Sequence, residues 1–207
     1  MGKTKVSDLM GVKNVLYPYL PVLVGANVNG KPNYITIGLV GWLCYDAMSV
    51  SVGHEQYTNA GIKENGSFSI NQPTASMVKQ LDYCGLYSGR RVDKSALFEN
   101  FYGELQTAPM IRECPVNVEC RVIQVMERRV HTVFIGEIAG IYLDEDCLTE
   151  GVVVVSKVDP VFFAPARSKG KYSGSYWKLG EYLGQAWEVG KDLRLTALDL
   201  GEDDAVK

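Results

Sequence analysis

The sequence predicts a mainly β protein, an antiparallel barrel with a few helices packed on it. Three observations carry that expectation. Strand-like segments outnumber helical ones, consecutive strands are joined by short hairpin turns, and no G-x-G-x-x-G follows a strand to mark a doubly wound sheet. At 207 residues and 46% hydrophobic, the chain is long enough for one well-buried domain, with no internal repeat or linker to divide it. It is read as a single domain over residues 1–207, with an N-terminal arm at 1–14 and a C-terminal extension at 166–207.

The first strand, Val22 to Val28, is apolar and rich in β-branched residues, and Asn29-Gly30 supplies the positive φ angles of a tight hairpin. The second, Asn33 to Trp42, contains Gly38 and Gly41. Glycines inside strands mark bulges or places where something approaches the backbone closely. Met48 to Gly53 alternates Met/Val/Val with Ser/Ser/Gly, the period of a sheet with two different faces. A helix over Ala60 to Glu64 follows, with Thr58 or Asn59 as its cap and Asn65-Gly66 ending it in the left-handed manner.

Ser67 to Gln72 is a short strand stopped by Pro73, and Thr74 opens a second helix with Met77, Val78, Leu81 and Tyr83 at helical spacing. It breaks into the loop from Gly85 to Arg91, after which Asp93 starts another short helix. Asn117 to Met126 and Thr132 to Tyr142 form a hairpin about Glu127-Arg128-Arg129. Val118, Cys120 and Val122 fall on one face of it, and Glu119, Arg121 and Ile123 on the other. Val152 to Val155 is an apolar run and Val161 to Ala164 a short strand. The segment after Pro165 is basic and glycine-rich, and the tail around Leu200 to Asp204 is acidic and expected to fray.

Composition excludes several function classes. A formal net charge of -3 argues against a nucleic-acid partner, and no apolar run is long enough to span a membrane. The opening residues MGKTKVSDLMGVK lack the apolar core of a secretory signal, so a cytoplasmic location is expected. Five scattered cysteines without C-x-x-C, and only two histidines, speak against a metal site. The thiols are expected to be reduced and mainly buried.

Three polar features bear on chemistry. The junction His54-Glu55-Gln56-Tyr57-Thr58 offers a helix N-terminus and a hydroxyl, which serve either a phosphate or only the helix cap. Ser88-Gly89-Arg90-Arg91-Val92-Asp93-Lys94 combines backbone freedom with positive charge, reading as an anion site or as a solvated basic loop. His131 stands at the start of a strand, in a structural or a functional role. No Ser/His/Asp set or carboxylate pair accompanies them, which points to a phosphorylated cofactor that brings its own chemistry.

Several short words then carry a family likeness. Gly30-Lys31-Pro32-Asn33 is followed by Ile35-Thr36-Ile37-Gly38, Tyr57-Thr58 and Ser69-Ile70-Asn71. Ser88-Gly89 with Asp93-Lys94, Glu119-Cys120 and His131-Thr132-Val133-Phe134-Ile135-Gly136-Glu137 come next, in that order. In these words the chain resembles the flavin reductase-like, FMN-binding split-barrel proteins, and within them the flavoredoxin group.

The resemblance implies an antiparallel split β-barrel of Greek-key type, forming a homodimer with non-covalent FMN near the interface. It implies that Asn33, Thr36, Ile37, Gly38 and Leu39 lay their backbone along the flavin ring, that Thr58 and Lys94 serve the phosphate, that Asn71, Ser88 and Gly89 line the same pocket, and that His131 and Phe163 close the flavin side. Members of the flavoredoxin type often carry tryptophan where this chain has Leu39, and arginine where it has Gln56. Cys84 precedes the Ser88-Gly89 loop, as a buried structural thiol or a redox group. The implied activity is an FMN-dependent oxidoreductase fed by NAD(P)H or by a reduced ferredoxin-like carrier. An electron carrier without direct NAD(P)H activity is one alternative; a split-barrel binder of another ligand, such as haem, is a second.

Overall fold

The computed structural model describes residues 18–168 and 171–191. The N-terminal arm at 1–14 and the acidic tail around Leu200 to Asp204 lie outside the described residues.

The chain opens with β1 (Val22–Val28) and β2 (Lys31–Ile37), joined by Asn29 at φ 51 and Gly30 at φ 73, the two left-handed residues a tight hairpin needs. β3 (Val40–Cys44) and β4 (Ala47–Gly53) follow. The strand expected from Asn33 to Trp42 is therefore two strands, interrupted at Gly38-Leu39. Helix α1 (Tyr57–Asn65), β5 (Ser67–Gln72) and helix α2 (Val78–Leu86, led in by a 3-10 turn at Ala75–Met77) come next. Short β6 (Asn100–Phe101) and β7 (Met110–Ile111) precede the long hairpin of β8 (Val116–Glu127) and β9 (His131–Leu143). β10 (Leu148–Thr149), β11 (Val152–Val153), the short α3 (Val155–Val158), β12 (Val161–Ser168) and β13 (Lys171–Lys178) complete the order.

Seven strands form one antiparallel sheet in the order β2-β1-β5-β8-β9-β4-β3. Only Gly38 and Leu39 separate β2 from β3, so the two ends of that order are neighbouring pieces of one run of chain. The sheet thus curls into a barrel with a split between β2 and β4. Its interior holds Val22, Val24, Ile35, Ile37, Val50, Val52, Phe68, Ile70 and Phe134, with Ile62 of α1 packed among them. A second cluster lies outside the barrel wall, where Leu23 and Tyr34 meet Leu81 and Cys84 of α2, with Phe98, Ile111 and Val161. Alternation along β2 explains the two sides, because Ile35 and Ile37 point inward while Tyr34 points toward α2.

Several local expectations need correction. α1 starts at Tyr57, with Gln56 at its N-cap and no side-chain capping bond, so neither Thr58 nor Asn59 caps it. The left-handed end at Gly66 is present, at φ 63. Asp93 opens a 3-10 turn over Ser95–Leu97 in place of a helix, its Oδ1 accepting from the Ser95 amide at 3.0 Å and the Ser95 hydroxyl at 2.6 Å. Glu119 keeps its expected face of β8, opposite Val118, Cys120 and Val122, but is wholly buried, because the Glu104 and Leu105 amides and the Tyr142 hydroxyl close over its carboxylate. The strand expected over Val161 to Ala164 extends to Ser168 and pairs with a strand inside the basic, glycine-rich segment.

Candidate functional site

β2 is the end strand of the sheet, so along one side its backbone N–H and C=O groups face no neighbouring strand. Cavities succeed one another along this strand. At the Lys31 end a space of about 420 Å³ is lined by Lys31, Asn33, Tyr57, Gly89, Arg90, Arg91, Asp93 and Lys94. At the Gly38 end a space of about 430 Å³ is walled by Tyr19, Phe163 and Tyr176. It shares Thr36, Gly38, Leu39, Gly85 and His131 with a smaller space of about 210 Å³, which reaches Ser51 and Gly53 in the barrel split. At ~3.3 Å per residue, Lys31 and Ile37 stand roughly 20 Å apart. One end of the groove is therefore cationic and the other aromatic.

The cationic end is built by the loop after α2. The Arg91 and Val92 amides both donate to the Ser88 carbonyl, at 2.9 and 3.2 Å, turning the chain back over Asn33. Gly89 lies so close that a Cβ would strike the Asn33 side chain and come within 2.8 Å of Tyr57 Cδ1. The Arg90 guanidinium lies 5.1 Å from the centre of the Tyr57 ring, a cation–π contact. Among the described residues no carboxylate forms an ion pair with Lys31, Arg90 or Arg91. Asp93 is the acid of this cavity, its pKa lowered by the hydroxyl bond from Ser95.

The expected residues behave differently from one another. Thr36, Gly38, Leu39, His131 and Phe163 come together at the aromatic end, and Asn33, Gly89 and Lys94 at the cationic one. Ile37 gives its backbone to the small cavity and its side chain to the barrel core. Ser88 stands just behind, an exposed turn residue whose hydroxyl accepts from the Arg90 amide at 3.3 Å. Thr58 is 1% exposed, and its hydroxyl accepts from Asn33 Nδ2 at 2.7 Å, so it braces Asn33 from beneath and does not present a free hydroxyl.

Asn71 does not join the groove. It lies on β5, inside the sheet, donating to the Leu23 carbonyl and Ser69 hydroxyl and accepting from the Ile111 amide and Asn117 Nδ2, all between 2.8 and 3.0 Å. Lys94 is 3% exposed and spends its ammonium on the Cys84 and Tyr87 carbonyls, each at 3.1 Å. Burial holds its pKa below the ordinary lysine value. Burial likewise pushes the Cys84 thiol up to about 11, partly offset by the Lys94 charge, which favours the structural reading of that thiol over the redox one. His54 faces Glu127 at 3.1 Å, away from the groove.

Sequence reasoning missed Tyr19, Gly85 and Tyr176. Gly85 lines both ring-side cavities, and a Cβ there would come 3.4 Å from Thr36 Cβ. A glycine near a helix end was the available signal for it. Tyr19 reaches the site through paired backbone bonds with Phe163, at 3.0 and 2.9 Å, and Tyr176 by donating to Asp82 at 2.8 Å. Neither contact leaves a local mark in the sequence. No group of metal-ligating side chains occurs among the described residues.

A strand with an open backbone edge, glycines of a neighbouring segment packed beside it, an aromatic recess and a cationic recess suits a flat ring with a phosphorylated tail. Known proteins share this fold. Residues 15–163 match the model of the flavin reductase like domain. The chain is 43% identical to flavoredoxin from Methanosarcina acetivorans, with TM-score 0.83 over 92% of this chain and 98% of that one. It is 35% identical to flavoredoxin of Desulfovibrio vulgaris (Miyazaki F), with TM-score 0.80 over 92% of this chain and 100% of that one. An FMN-binding protein from Thermus thermophilus shares the fold at 20% identity, with TM-score 0.69 over 89% of this chain and 100% of that one. Family and flavoredoxin neighbours together support FMN as the cofactor. The chain belongs to the family of flavin reductase-like domains, in its flavoredoxin group.

Proposed function

We propose that the groove along β2 holds FMN and that the protein is an oxidoreductase passing electrons through it. The observation that carries this reading is the open edge of β2, running from a cationic recess to an aromatic one. Lys31, Arg90 and Arg91, which form no ion pair with a carboxylate among the described residues, would hold the phosphate. The ring lies toward Ile35 to Leu39, Gly85 and His131. Bound FMN supplies hydride acceptance and the release of electrons one at a time.

The chain's own residues supply the rest. Backbone N–H groups on the free edge of β2 are the donors that favour added negative charge on a ligand beside them. Tyr19, Phe163 and Tyr176 keep water from the ring end. His131, at the first position of β9, offers an imidazole for hydrogen bonding to the ring end.

NAD(P)H is the donor in the first reading. The likeness to flavoredoxins favours a second, in which a ferredoxin-like protein delivers electrons and direct NAD(P)H activity is small. Anaerobic mixing of the FMN-loaded protein with NADH, NADPH and reduced ferredoxin separates the two by which reagent bleaches the flavin band. A protein that takes up no FMN on titration ends both.

The reading extends to a homodimer. Trp42 and Leu43 on β3, Tyr45 in the β3–β4 turn, Ile123 and Val125 on β8 and Val130 in the β8–β9 turn expose large apolar side chains on the β8-β9-β4-β3 part of the sheet.

A further inference from the structure

α2 ends beside β2 with carbonyls that a helix leaves without partners of its own. The Tyr87 amide takes the Tyr83 carbonyl at 3.1 Å. The next free carbonyl, that of Cys84, and the Tyr87 carbonyl just beyond the helix both accept from Lys94 Nζ. A cation at this position also meets the negative end of the helix dipole. Lys94 is buried although its charge would be better solvated at the surface, and its depressed pKa registers that cost.

Two more ties hold the same segment to β2. Thr36 Oγ1 donates to the Leu81 carbonyl one turn earlier, and Gly89 rests on Asn33 with no room for a Cβ. Gly85, adjoining Cys84, borders both ring-side cavities, while Gly89 and Lys94 border the cationic one. One stretch of chain thus forms a wall of both ends of the groove, and Lys94 fastens it in the middle.

We infer that Lys94 is a positioning residue for flavin, acting through the last turn of α2 and the loop after it, and not a ligand of the phosphate. The inference rests on the reading of the groove as the flavin site. Two of the three ammonium protons are already used on main-chain carbonyls, so the group is fixed in place before any ligand arrives. Removing it frees the wall at the ring end as well as at the cationic end.

The test compares FMN with riboflavin, which has the same ring and no phosphate, by fluorescence titration of wild type and Lys94→Met. A positioning role lowers both affinities by a similar factor, about tenfold, the effect of losing a charged buried bond. A phosphate ligand lowers FMN affinity and leaves riboflavin binding unchanged, which overturns the inference. Wild-type protein that binds neither flavin brings down the groove reading itself, and the inference with it. If Lys94→Met does not fold, hydrogen exchange on the wild type decides. Riboflavin alone is expected to slow exchange across residues 85–94. Protection of the 89–94 part by FMN only would refute the role.

Discussion

Glu119 shows how much one buried side chain organises. It is 0% exposed and accepts from the Glu104 amide at 2.9 Å, the Leu105 amide at 2.8 Å and the Tyr142 hydroxyl at 2.7 Å. Gly103 and Gly140 stand where any Cβ would meet that carboxyl group or the Tyr142 ring. Glu119→Ala is expected to destabilise the fold by about 3 kcal/mol, because three donors lose their acceptor inside the protein. Glu119→Gln is expected to cost less, since one oxygen remains to accept. Urea denaturation of both variants checks the order. Strand alternation put Glu119 on the face opposite Val118 and Cys120, and it is there; what a single strand's pattern does not contain is the chain around Glu104 and Leu105 that covers that face. Thr58 misleads in a related way, since its hydroxyl is taken by Asn33 from a strand distant in sequence. Asn29-Gly30 is the opposite case, legible because φ 51 and φ 73 are dictated by the residue types themselves.

At the scale of elements, α1 owes its place to packing more than to its own sequence. It lacks a side-chain cap, yet Asn59 donates to the Val52 carbonyl at 3.1 Å and Asn65 to the Asn27 carbonyl at 2.8 Å, fastening both its ends to strands. Gly61 lets it sit directly on β1, where an added methyl would strike the Asn27 carbonyl and lie 2.7 Å from Val28 Cγ2. Gly61→Ala is expected to lower stability by about 1–3 kcal/mol despite the better helix propensity of alanine, through overpacking. A thermal melt that rises instead would show that α1 is free to lift away from β1. The end of this helix was readable from Gly66 and its beginning was not, since nothing but the sheet defines it. β13 escaped for a similar reason: its glycine and lysines resemble a loop, and only pairing with β12 makes them a strand.

For the molecule as a whole, the antiparallel β class and most strands were visible in alternation and turn chemistry, and the family words had already pointed to β2 as the strand of the proposed site. What alternation did not supply was the closing of the sheet or the arrival of Tyr19 and Tyr176, both products of contacts between distant segments. The exposed apolar run at Trp42 and Leu43 gives the proposed homodimer its test. Trp42→Asp combined with Leu43→Asp is expected to halve the sedimenting mass while leaving circular dichroism unchanged, and an unaltered mass would remove this face from the interface. The break at Gly38-Leu39 has one more consequence. In the proposed reading, the length of chain that borders the cofactor's seat is also the piece that brings the two rims of the sheet together, so the seat does not exist until they have met. Yellow colour is then a marker of finished folding, and a chain stalled one strand short stays pale however much riboflavin phosphate surrounds it.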